Sequence, residues 1–133
     1  MKNNIRSKED CISSKLWSKE VEREMTSDAL WVMDMIQLQK EKYINEMMHA
    51  RGSNFDKYSY SIFAIDEALD AINNFDESAS VIRVVDIAMI LEITYNQFAE
   101  FYTKTRNNKD KYYAMKNAIE PLYEFAMNYL GED

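Results

Sequence analysis

Apolar residues recur every three or four positions along most of the chain, the period of a helix with one buried face. After a polar first dozen residues, expected to be frayed, a helix is expected from Ser13 or Ser14 through Trp17, Val21 and Met25. Thr26 and Ser27 offer an N-cap to a longer helix with Asp28 in its first turn. That helix carries Ala29, Val32, Met33, Ile36, Tyr43, Ile44, Met47 and Met48 at helical spacing, and Gly52 is placed to end it with a positive φ. Shorter helices are expected next: FDKYSYSIF capped by Asn54, then IDEALDAIN. FDESAS reads as a polar break, Ser80 as the cap of VIRVVDIAMILE, and Thr94 or Asn96 as the start of NQFAEFYTK. Asn107 and Asn108 mark a loop before a last helix with Met115, Ile119, Leu122, Phe125, Ala126 and Tyr129 on one face. Pro121 lies inside that stripe and must kink the helix or begin a new one, and Gly131 ends it.

Composition sharpens this into a fold class. Two glycines and one proline in 133 residues leave little for the turns of a sheet protein, so an all-α domain is expected. The length suits one core over 1–133, with 1–12 flexible, N-terminal helices in 13–43, a centre in 44–98 and C-terminal helices in 99–133. The helical extensions at both ends are expected to complete the core or to make a homodimer. No apolar run reaches the roughly 18–20 residues of a membrane span. MKNNIRSKEDC lacks the apolar core of a signal peptide, and Cys11 is the one cysteine, so a cytoplasmic location is expected. With one Cys and one His, His49, neither structural zinc nor a Cys–His nucleophile is expected. No cofactor and no enzymatic activity are expected.

Residues 44–98 carry a more particular pattern. Ile44 and Met47 followed by Arg51-Gly52 suit the end of a helix and its turn, and Asn54 suits the next cap. Tyr58, Ser59 and Ile62, then Leu69, Ile72 and Asn74, follow at core spacings. The stretch ends in Ile87-Ala88-x-x-Leu91-x-Ile93-Thr94-x-x-x-Phe98. Together these resemble the Cro/repressor-like (XRE-type) helix-turn-helix domain, without a gap over about 55 residues. The resemblance implies a five-helix centre whose third helix reads DNA.

Departures from that family bear on function. Phe63 stands where the family has a turn glycine, and a bulky residue at positive φ is strained. Phe55 replaces a phosphate-reaching Gln, and Phe75 and Ala79 replace a Gly and a Pro. The outward positions of the recognition-helix equivalent are Asp66, Glu67, Ala68, Asp70 and Ala71, where a groove-reading helix carries Arg, Gln, Asn, Ser or Thr. The chain's net charge is −7, and residues 44–98 hold three cations against nine acids. Such a surface repels phosphate.

Glu67-x-x-Asp70 and Arg83-x-x-Asp86 also resemble the paired carboxylates of all-α NTP pyrophosphatases, the MazG-like enzymes and dimeric dUTPases, which hold Mg²⁺ between two helices. Here Arg83 stands where the fourth carboxylate would be, so the ordinary reading is of solvated acids on short helices, and the alternative is a degenerate relative with Glu67, Asp70 and Asp86 as the remaining ligands.

Two surface readings remain. Carboxylates along a helix can fill the Lys/Arg groove of a nucleic-acid-binding protein. The candidate face is Asp66, Glu67, Asp70, Asp76 and Glu77, with solubility as the ordinary alternative use of acids. Small, acidic, helical phage anti-CRISPR and anti-defence proteins are similar in type. In the C-terminal part, Lys104, Arg106, Lys109 and Lys111, with Lys116, are interleaved with Tyr102, Tyr112 and Tyr113. The ordinary reading is that these tyrosines pack a core while the lysines stay in water; the alternative is single-stranded nucleic-acid binding. The methionines Met25, Met33, Met35, Met47 and Met48 read as core or dimer interface, and Trp17 and Trp31 as anchors for a partner helix.

The leading expectation is therefore a small, acidic, non-enzymatic regulatory or inhibitory protein that binds a basic protein partner. Phage or mobile-element origin fits that type. The alternatives are a DNA-binding helix-turn-helix regulator and a degenerate nucleotide pyrophosphatase.

Overall fold

Thr26 starts the first long helix as its spacing predicts: its hydroxyl accepts the Ala29 backbone N–H at 3.2 Å, satisfying a donor that a helix start leaves free. The computed structural model describes the backbone of Ile5–Arg6 together with residues 24–75 and 81–130. Helix α1 spans Ser27–Met48, α2 Ser53–Asn73, α3 Val84–Lys104 and α4 Lys109–Met127. Strands β1, Ile5–Arg6, and β2, Met25–Thr26, pair antiparallel, Ile5 opposite Thr26 and Arg6 opposite Met25. The all-α class holds. The helix expected over Ser13–Val21, the candidate residues Asp76 and Glu77, the Ser80 cap and Gly131 lie outside the described residues.

Several element boundaries differ from the sequence expectation. Met25 is extended rather than helical: it is fully buried and bridges Ile82, while Thr26 N–H donates to Ile82 O and Ile82 N–H to Glu24 O. Ile5 and Arg6 belong to the same small sheet, not to a frayed end. That pairing holds Ile82 in a bridge and Arg83 is extended, so α3 begins at Val84, with Arg83 as its cap.

Two helix breaks expected inside 44–98 are absent. Ser61, Ala64, Ile65, Ala68, Leu69 and Ile72 form one unbroken buried stripe across the position of the expected turn. With neither Gly nor Pro inside, α2 runs through Phe63 as a single helix of 21 residues. Thr94, expected to open a new helix, is buried within α3 and its hydroxyl donates to Ile90 O at 2.8 Å. The region 44–98 therefore holds the end of α1, all of α2 and most of α3, not five helices. Gly52 has the positive φ expected of it, +61°, but α1 already ends at Met48, and Gly52 caps α2 instead. Asn108, at φ 64°, makes the corresponding turn into α4, which continues through Pro121.

Two helical hairpins pack into one bundle. α4 lies against both α3 and α2, and α2 also packs on α1. The shared core includes Leu30, Met33, Ile36, Ile65, Leu69, Ile87 and Leu91. At about 25 cal/mol per Å² of apolar surface, such burial supplies the main drive for folding. Polar links join the helices at the edges: Trp31 Nε1–H donates to Tyr129 Oη at 3.1 Å and Tyr123 O–H to Glu92 Oε2 at 3.2 Å. Loss of hydration, and then the Glu92 carboxylate, push the Tyr123 phenol above its ordinary pKa. Among the described residues no helix is long and apolar enough to cross a membrane.

Candidate functional site

The continuity of α2 decides which residues share its outer face. Steps of four and three place Asp56, Tyr60, Phe63, Glu67, Asp70 and Asn74 in one stripe, opposite the buried face. Glu67 and Asp70 are exposed, and Phe63 between them and Tyr60 leaves half of its surface, 50%, to solvent. The outer face of α2 thus carries a half-exposed aromatic ring beside two carboxylates.

Asp66, grouped with that face from the sequence, sits at its margin. Its carboxylate pairs with Lys40 Nζ of α1 at 2.7 Å, and the two side chains are 47% and 12% exposed. This pair fixes α2 against α1 and leaves Glu67 and Asp70 as the outward acids. Phe63 does not occupy the turn that the repressor-like pattern implies; helical spacing carried unbroken from Asp56 to Asn74 is the signal that places it on the surface.

The carboxylates read as metal ligands do not assemble. Among the described residues no three His, Cys, Asp or Glu side chains come close enough to hold a metal ion. Asp86 instead closes the start of α3, where its Oδ2 accepts the Arg83 N–H at 2.9 Å and its own N–H donates to Arg83 O at 3.0 Å. His49 is exposed, with Nδ1 2.8 Å from Asn45 O. Cys11 and Trp17 lie outside the described residues. Of the methionines read as core, Met25 and Met33 are buried, whereas Met48 is exposed at the end of α1.

The basic candidates gather where α3 turns into α4. Lys104 closes α3 and binds Glu100 one turn earlier; that hydrogen bond, and then the ammonium charge, hold the Glu100 carboxyl below its usual pKa. Arg106 is exposed in the connection. Lys109 Nζ donates to Tyr102 O at 2.7 Å, at the C-terminal end of α3 where carbonyls lack helical partners. It also lies 4.6 Å from the Tyr102 ring centre, and Lys111 lies 5.6 Å from that of Tyr112. Beside this end, a cleft of about 570 Å³ opens between the starts of α2 and α4, with Lys57, Tyr60, Lys109, Lys111 and Tyr113 in its walls. Asp56 and Asp110 line it too, so it is not a purely cationic pocket.

No family model matches the chain, and comparison with curated proteins and with solved structures finds no match.

Proposed function

We propose that this chain is a small non-enzymatic regulatory or inhibitory protein whose α2 face engages a basic surface on a protein partner. The reading rests on one observation: half-exposed Phe63 lies in the same stripe as the outward carboxylates Glu67 and Asp70. Carboxylates steer a cationic partner and set its register, while burial of the aromatic ring supplies affinity. A Lys/Arg-rich groove of a nucleic-acid-binding protein has the matching chemistry, since it already accommodates a spaced row of negative charges. The DNA-reading alternative gains no support from α2, because its outward stripe contains no cation.

The test is capture from the native host by the full chain, comparing wild type with the Glu67→Lys, Asp70→Lys double variant. The expected result is a captured protein with a Lys/Arg-rich contact surface, lost on charge reversal and weakened by salt. Capture unchanged by the reversal would overturn the proposal.

A further inference from the structure

The tyrosines of the C-terminal segment do not all enter the core. Phe101 and Tyr112 stack with ring centres 5.3 Å apart and planes at 27°, and Tyr102 and Tyr113 pair at 5.7 Å and 47°. The outer member of each pair is half bare, Phe101 at 52% and Tyr113 at 51% exposure. Both pairs lie at the end of the bundle where α3 turns into α4, and each exposes one ring to solvent.

Cations surround these rings. Besides Lys109 and Lys111, the Lys116 ammonium lies 5.1 Å from the centre of Tyr113 and 5.3 Å from that of Tyr102. Arg106 adds an exposed charge at the α3 end, where Lys104 is paired with Glu100. Residues 100–116 hold five cations against two acids, Glu100 and Asp110, in a chain whose net charge is −7. The Glu100–Lys104 pair cancels, which leaves four cations against Asp110. The adjoining cleft adds Lys57 of α2, balanced there by Asp56.

We propose that this α3–α4 end binds single-stranded nucleic acid, with bases stacking on Phe101 and Tyr113 and phosphates meeting Arg106, Lys109 and Lys111. The combination of exposed rings and cations at one end carries the inference. A single strand repeats a planar base and an anionic phosphate, and this end holds half-exposed rings together with ammonium and guanidinium groups. A duplex hides its base faces within its own stack, and an acidic peptide has no use for two bare rings. Stacking of this kind discriminates weakly among bases, so binding with little sequence preference follows. The rings and cations of this end belong to α3, α4 and the connection between them, whereas Phe63, Glu67 and Asp70 belong to α2, and the inference does not depend on how those three are used.

Fluorescence anisotropy with a labelled oligo-dT or oligo-U of about 20 nucleotides, titrated with the full chain at low salt, tests the proposal directly. The expected result is micromolar binding, weaker for a duplex of equal length. Three phosphate contacts give a slope of about −2 in log affinity against log salt. Phe101→Ala and Tyr113→Ala each lower affinity by about 5- to 100-fold, in line with the loss of one stacked base, while Phe101→Trp retains binding. Both residues are half exposed, and circular dichroism of each variant checks that the helices persist. No binding at tens of micromolar overturns the proposal. So does equal affinity for the duplex, effective competition by polyglutamate, or affinity indifferent to both alanine variants in chains that remain folded.

Discussion

Replacing Phe63 first by alanine and then by glycine separates a continuous α2 from a helix-turn-helix by the sign of a stability difference. Both variants remove the same half-exposed ring, so the lost ring contacts cancel between them. What remains is the backbone preference of the site. Within a helix, glycine is about 1 kcal/mol less favourable than alanine, because its unfolded chain has more freedom to lose. At a turn with positive φ the order reverses by roughly 1 kcal/mol or more, because alanine's Cβ meets the backbone there. Urea unfolding followed by the helical circular dichroism signal reads the difference. With a slope of about 1–3 kcal/mol per molar urea, 1 kcal/mol separates the midpoints by roughly 0.3–1 M. The structure requires Phe63→Ala to be the more stable variant, at unchanged slope. A glycine variant equal to or more stable than the alanine variant would refute the continuous helix, and with it the stripe that joins Phe63 to Glu67 and Asp70.

Further substitutions test the joints of the bundle by the same unfolding measurement. Gly52→Ala should cost about 1–3 kcal/mol although open space surrounds the site, since the penalty comes from φ +61° and ψ −132° alone; no loss would contradict that conformation. Asp86→Ala should cost roughly 1 kcal/mol by releasing the start of α3, and addition of Mg²⁺ should leave its unfolding curve unchanged if the carboxylate serves as a cap. Ile65→Ala, at the fully buried centre of α2, should cost about 2–5 kcal/mol, whereas Asp66→Asn, in a partly exposed pair with Lys40, should cost no more than about 1 kcal/mol. The Glu100–Lys104 pair adds a pH dependence of known sign. Because the folded carboxyl lies below its unfolded pKa, its stabilising contribution is present above the unfolded value and declines as pH falls through the folded one. Glu100→Gln should remove that part of the acid-side decline.

The helix starts show what local sequence reveals. Thr26 and Asp28 announce α1 through hydrogen bonding and charge confined to a single turn, and the structure uses both residues in that way. Gly52 is legible as a positive-φ residue for the same reason, although which helix it serves depends on where the backbone of α1 ends. The beginning of α3 is not legible. Ile82 is held outside the helix by bonds to the Glu24–Thr26 backbone, more than fifty positions away, and no propensity of 80–84 reports such a partner. Phe63 is the instructive case, since likeness to a turn glycine points one way and an apolar period unbroken from Ser61 to Ile72 points the other; the buried face decides. The acidic and basic clusters can be read as charge. Their accessibility cannot, because the exposure of Phe101 and Tyr113 depends on the faces that α3 and α4 share in the bundle.

The claim that α2 presents a partner-binding stripe is tested most directly by placing a photo-crosslinking phenylalanine analogue at position 63 and irradiating in the native host. A matched chain with the analogue at Val85, an exposed position of α3, serves as control. The expected result is a discrete adduct from position 63, absent from the control, whose partner peptide is rich in Lys and Arg and whose yield falls when Glu67 and Asp70 are reversed to Lys. Adducts of equal yield from both positions, or a position-63 adduct indifferent to that reversal, would contradict it.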